Sequence, residues 1–308
     1  MSKISDDERI QRIVEKARAL SEEAQTITYK EIFNKVDNLI IGNTSYKQAI
    51  SIALADFLKK DCERNHLLIV GPSGSGKTFL LEEFIPTLKI PFCKINCASL
   101  VPAGYKGTSL EETLEHFFKG IQPNVRNIVI LDEFDKISNH GNGGDDFKSQ
   151  SLQSELLILL SGTKESKFNT TNTLWILAGA FAYSEEAARN YENFDDKTIL
   201  KYGFKNELLG RITKIVCTQL PSVDEVVKRV FAHPLILNLN SVMKDNGYEL
   251  VLTDEAYLEL SFLCQNPLFG MRALPKAVAK LKEHIIFENT PGSVTIDGEK
   301  IKQLMKVS

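Results

Sequence analysis

Paired cysteines, long apolar runs and an excess of basic charge are all missing from this sequence. The five cysteines, Cys62, Cys93, Cys97, Cys217 and Cys264, are odd in number and lack CxxC spacing. A structural zinc site is therefore not indicated, and a reducing cytoplasm is the expected location. No stretch is apolar enough over a sufficient length to span a bilayer, so no membrane partner is expected. Residues 1–20 mix acids and bases without the apolar centre of a secretory signal. The 37 Lys+Arg against 40 Asp+Glu leave a net charge of -3. No global positive field exists to hold a nucleic-acid backbone, which disfavours a purely electrostatic DNA binder. Internal repeats are absent too, and the one low-complexity stretch is the loop from Asn139 to Asp146.

What remains is 308 residues, 43% hydrophobic and 25% charged, the balance of a globular protein with one large and one small domain. Ile10, Ile13, Val14, Ala17 and Leu20 fall at helical spacing, so 1–35 reads as a helical segment. From Asn65 onward, short apolar stretches alternate with helical ones. Leu67 to Val70, Phe92 to Asn96, Ile128 to Leu131, Thr173 to Ala178 and Ile212 to Cys217 read as strands. This alternation predicts an α/β fold with a five-stranded parallel sheet flanked by helices over 36–221. After Pro221 the pattern turns helical, and 222–308 reads as a small, mainly helical domain. Its expected helices run Val223 to Arg229, Leu235 to Lys244, Thr253 to Cys264 and Met271 to Phe287.

The chemistry begins at Gly71-Pro72-Ser73-Gly74-Ser75-Gly76-Lys77-Thr78, a complete P-loop between an apolar strand and a helix that opens at Phe79. Its glycines let successive backbone N–H groups point at phosphate oxygens, and the helix N-terminus adds a favourable dipole. Lys77 is expected on the β- and γ-phosphates of ATP and Thr78 on Mg²⁺. Roughly fifty residues on, within one nucleotide-binding unit, Ile128-Val-Ile-Leu-Asp132-Glu133-Phe-Asp135 delivers carboxylates at the C-terminal end of a buried strand. Asp132 is the expected metal-holding carboxylate, through water. Glu133 is the expected catalytic carboxylate that polarises the attacking water.

These segments and those around them resemble AAA+ proteins of the Clp/HSP100 group, and within it the ClpX-type ATPase ring, from about Val36 to the C-terminus. Leu39-Ile40-Ile41-Gly42 resembles the VIGQ segment that lines the adenine pocket, with Asn43 in place of Gln. Ala98 to Gly107 resembles the stretch ending in the GYVG pore loop, Ala178 to Ala182 the GGAF turn, and Leu200 to Arg211 the stretch carrying the arginine finger. Phe269-Gly-Met-Arg272-Ala-Leu274 resembles the sensor-2 motif. The resemblance implies an AAA+ P-loop ATPase whose Arg211 reaches a neighbouring subunit's site and whose Arg272 touches its own nucleotide. It also implies ATP and Mg²⁺ as cofactors, with Ile40, Ile41, the residues 71–79 and Arg272 binding ATP.

The same resemblance implies a hexameric ring that pulls on a protein partner. Tyr105 and Lys106 would form the substrate-gripping pore loop, with Lys106 standing where the family has an apolar residue. Ser109 and Glu112 read as a capping box for a helix from Leu110 to Lys119. Departures matter as well. No zinc-binding domain precedes Val36, no RKH-like loop falls between Gly162 and Thr173, and no IGF tripeptide falls between Phe181 and Lys201. A remodeller working without a ClpP-type peptidase is therefore expected. No polar sensor-1 residue stands out after Leu174-Trp-Ile-Leu-Ala178. The alternative is an AAA+ ATPase acting on nucleic acid, as a helicase loader or transposition-type ATPase does. Basic channel loops would favour it, but only Lys106 lies in the pore segment, with Lys94 and Lys119 farther off.

Overall fold

The computed structural model describes residues 27–59, 64–101, 107–138, 146–164, 169–182, 191, 194–231, 233–266 and 269–306. Among the described residues, nine strands follow one another: β1 Leu67–Val70, β2 Phe92–Asn96, β3 Leu100–Val101, β4 Thr108–Ser109, β5 Asn127–Asp132, β6 Thr173–Gly179, β7 Lys214–Cys217, β8 Tyr248–Leu252 and β9 Gly292–Ile296. Five of them form a parallel sheet in the order β2-β5-β6-β1-β7. All five C-terminal ends therefore lie on one edge, where open α/β sheets gather their ligands.

The three inner strands β5, β6 and β1 are buried because both of their faces are covered, while the edge strands β2 and β7 carry exposed residues such as Lys94 and Lys214. Leu67, Ile69, Ile128, Ile130, Leu174 and Ile176 pack on one face with the helices Tyr29–Asp37, Thr44–Leu58 and Lys77–Phe84. Leu68, Val70, Val129, Leu131, Trp175 and Leu177 point the opposite way, against the helices Leu110–Phe118 and Asp146–Ser161. This is the period-two alternation of a strand, with each half of the alternation serving its own core. The Ser109–Glu112 capping box is present at the start of the helix Leu110–Phe118, which satisfies two orphan backbone donors.

A third core gathers Val226, Ile236, Leu239, Leu260, Leu281, Ile285 and Ile301 from helices that follow Pro221. The strand expectation stops short here. β8 and β9 pair in parallel, with Tyr248 opposite Gly292 and Leu252 opposite Ile296. Each is five residues long, too short for a strong periodic signal between longer helical stretches. The helix expected from Met271 begins at Ala273, after a single 3₁₀ turn at Gly270–Arg272, and β7 begins at Lys214, two residues later than its apolar run. No described helix is long and apolar enough to cross a membrane.

His66 ties the sheet to its helical cover. Trp175 N–H donates to His66 Nδ1 at 3.2 Å, and Nε2 lies 3.1 Å from the Leu160 carbonyl. The ring is therefore neutral with its proton on Nε2. Burial, with the nearby Arg64 charge adding to it, lowers its pKa from 6.5 to about 4. A histidine whose folded pKa is depressed contributes stability above its unfolded value and loses it as pH falls toward the folded value. Comparing urea unfolding at pH 7 and pH 5, His66 alone should cost about 2 kcal/mol at the lower pH. His66→Gln should remove that increment, and an equal pH response in the variant would refute the latch.

Candidate functional site

The P-loop crosses the C-terminal edge of the sheet between β1 and the helix Lys77–Phe84, and four elements hold it. The Asn43 side chain donates to the Ser75 carbonyl at 3.2 Å and to the Gln219 carbonyl at 3.0 Å, while accepting from Gln219 N–H at 2.8 Å. Asn43 itself has φ 54, a left-handed conformation that asparagine tolerates better than most residues. The buried Tyr46 hydroxyl donates to the Lys77 carbonyl at 2.8 Å. Thr218 Oγ1, past the end of β7, lies 2.7 Å from Ser75 Oγ. The fourth element is the turn Gly270–Arg272. Met271 N–H approaches the Gly74 carbonyl at 3.4 Å, and Arg272 Nη1 donates to Ser73 Oγ at 3.0 Å.

Gly74 and Gly270 show why glycine is required at that meeting. Gly74 has φ +78, and a Cβ there would stand 2.4 Å from the Phe269 carbonyl oxygen. Gly270 has φ +52, and its Cβ would stand 2.9 Å from Gly74 Cα. Backbone meets backbone, which a side chain at either position would prevent.

A cleft of about 540 Å³ opens above this loop. Ile40, Ile41 and Phe79 supply its apolar wall; residues 73–78, Lys94, Asp132, Glu133 and Arg272 supply polar groups. Thr78 Oγ1 is 3.2 Å from both Asp132 oxygens. Lys77 folds back, its ammonium donating to the Gly71 carbonyl at 2.5 Å and the Pro72 carbonyl at 2.8 Å. Burial pulls its pKa from 10.5 down to about 8, against the opposing pull of Asp132 and Asp135. Glu133 is exposed with φ 54, and its N–H donates to Asp132 Oδ1 at 3.0 Å. A left-handed glutamate directly after a strand is a strained residue, of the kind that clusters at functional sites.

Thus Ile40, Ile41, Ser73, Gly74, Ser75, Gly76, Lys77, Thr78, Phe79, Asp132, Glu133 and Arg272 converge on one cleft, while Gly71 and Pro72 are outside its lining and hold the Lys77 ammonium through their carbonyls. Arg211 does not join them. It is exposed on the turn after the helix Asn206–Leu209 and is outside the cleft lining. Tyr105 and Lys106 lie outside the described residues.

Asp135, Arg229 and Lys94 are among the cleft residues to which the motifs assign no role. Asp135, 1% exposed, accepts from Ala180 N–H at 3.0 Å and so ties the carboxylate turn to the end of β6. Its spacing from Asp132 was the available signal. Arg229 donates to the Asn38 carbonyl across the cleft, and Lys94 reaches Asp132; neither has a local signal, because packing alone brings them there.

The family profile described as "ATPase family associated with various cellular activities (AAA)" matches residues 67–197. The chain is 28% identical over 306 residues to the ATP-dependent Clp protease ATP-binding subunit ClpX 2 of Wolinella succinogenes, covering 84% of this chain and 77% of that protein. It is 24% identical over 321 residues to the ATP-dependent Clp protease ATP-binding subunit ClpX of Treponema denticola, covering 85% and 77%. A parallel sheet with a P-loop at its edge, a paired-carboxylate strand beside it and these likenesses agree: residues 67–197 form an AAA-type ATPase domain, the chain as a whole is similar to ClpX subunits, and it hydrolyses ATP.

Proposed function

We propose that this protein is an ATP-dependent protein unfoldase or remodeller that works as a hexameric ring and pulls a protein partner through its centre. The observation that carries the reading is the separation of its parts. The phosphate cradle, Asp132 and Glu133 share one cleft, whereas Arg211 stands exposed outside it. We read Arg211 as the arginine finger that completes the cleft of a neighbouring copy.

In this reading the Ile40 and Ile41 side chains cover the adenine, and backbone N–H groups of 71–78 hold the phosphates. Lys77 leaves the Gly71 and Pro72 carbonyls for the β- and γ-phosphates. Arg272 exchanges Ser73 for the nucleotide, linking the position of the helical unit after Pro221 to what the cleft holds. Thr78 Oγ1 and the Asp132 carboxylate are hard oxygen donors set side by side, a donor pair suited to Mg²⁺ with its remaining waters and phosphate oxygens. Mg²⁺ would neutralise phosphate charge there. Glu133 orients and polarises the attacking water, and the neighbour's copy of Arg211 neutralises charge as the phosphoryl group transfers. Tyr105 is assigned to the channel as an aromatic grip on an extended chain, with Lys106 adding a ring of positive charge. The missing IGF tripeptide supports action without a ClpP-type peptidase, and the cytoplasm is the proposed location.

The test is ATP-driven loss of native fluorescence from a globular protein carrying an unstructured tail, with a trap to prevent refolding. The wild type should unfold it. Tyr105→Ala should retain its ATPase rate and lose most unfolding, by about tenfold or more. Equal unfolding by that variant would remove the grip assignment. ATPase stimulated by single-stranded nucleic acid and by no protein would promote the nucleic-acid alternative instead.

A further inference from the structure

Lys94 belongs to no motif, yet the sheet register delivers it to the nucleotide cleft. In the β2–β5 pairing, Lys94 lies opposite Ile130 and Asn96 opposite Asp132. From there the long lysine side chain reaches the end of β5. Its ammonium lies 2.5 Å from Glu82 Oε1 and 3.5 Å from Asp132 Oδ2. Glu82 is one turn beyond Thr78 on the helix Lys77–Phe84, so both residues share a helix face. Thr78 closes the series by donating to Asp132. Glu82, Lys94, Asp132 and Thr78 thus form a continuous polar chain, and all four line the cleft. A lysine on the rim of the cleft, paired with two carboxylates, is a cation at working pH.

We propose that Lys94 is a positioning residue that sets the divalent-cation affinity of the nucleotide site, sharing the Asp132 carboxylate with the metal while Glu82 anchors it. The inference rests on the assignment of Asp132 as the metal-holding carboxylate. A unit positive charge this close to that carboxylate offsets part of its attraction for a cation and repels the cation directly. Glu82 draws the ammonium toward itself and so limits that effect. An exposed lysine paired with Glu82 alone would have no such consequence, because surface pairs of this kind contribute little. Here the second partner is a carboxylate whose side chain is 17% exposed, while Lys94 is 35% exposed. Water screening is incomplete at such a position, and the effect is a moderate one. Metal loading is thereby held below the strength that Thr78 and Asp132 alone would give.

The experiment measures Mn²⁺ binding directly, by the electron paramagnetic resonance signal of free Mn²⁺, on the full chain with saturating ADP. Lys94→Met should bind Mn²⁺ about threefold to tenfold more tightly than wild type, and Lys94→Arg should stay close to wild type. Glu82→Gln, which releases the ammonium toward Asp132 and removes a negative charge, should weaken binding by about threefold. Asp132→Asn is the control for the underlying assignment and should weaken binding more than any of these. Unchanged or weaker Mn²⁺ binding in Lys94→Met, with Asp132→Asn weakened, overturns the role of Lys94 and leaves the metal assignment standing. Unchanged binding in Asp132→Asn overturns the metal assignment itself, and the proposal with it.

Discussion

Glu133→Gln should bind ATP with near-normal affinity and hydrolyse it slower by a factor on the order of 10²–10³. The substitution preserves shape and removes charge. The proposed phosphate cradle, residues 71–78, is held by Asn43, Tyr46, Thr218 and Arg272, none of which uses the Glu133 side chain. Binding should therefore survive. The Glu133 backbone is fixed by its N–H bond to Asp132 Oδ1, so the carboxamide should occupy the place of the carboxylate without its basicity. Nucleotide binding by fluorescence titration and turnover by phosphate release separate the two effects. Turnover within about threefold of wild type would exclude Glu133 as the group that polarises water.

Arg211→Ala should lose on the order of 10³-fold in turnover while keeping its nucleotide affinity, because an arginine finger acts on charge developing in transfer. Arg211 is exposed and lies outside its own cleft, which gives the prediction a second, sharper form. Subunits carrying Arg211→Ala retain Glu133, and subunits carrying Glu133→Gln retain Arg211. Neither should turn over alone, whereas a mixture should recover a substantial fraction of wild-type activity. The measurement is phosphate release from rings mixed at several ratios. A mixture as inactive as its components would argue that the catalytic groups are not shared between neighbours.

The parts of this molecule that were legible in its sequence are those whose chemistry is local. The P-loop announces itself because the glycines, Lys77 and Thr78 must follow one another in a single turn between strand and helix. The carboxylates at the end of β5 are equally plain, since four apolar residues force a buried strand and the acids mark where it emerges. The five parallel strands follow from apolar runs spaced by helices, and four of the five begin within one residue of their expected start. The pair β8 and β9 was hidden because five-residue strands between long helices carry too little periodicity to be separated from their neighbours.

The sequence by itself determined the ATPase class, and it showed the P-loop and the strand-end carboxylates, because each needs only a few consecutive residues. Tertiary structure alone decided what surrounds them. Lys94 meets Asp132 through a strand register, Asn43 clasps Ser75 and Gln219 from another element, and Gly74 receives the backbone of Gly270. Such contacts join residues far apart in the chain. Their geometry depends on how sheet, helices and the final helical unit pack together, and no short stretch of sequence encodes that distance.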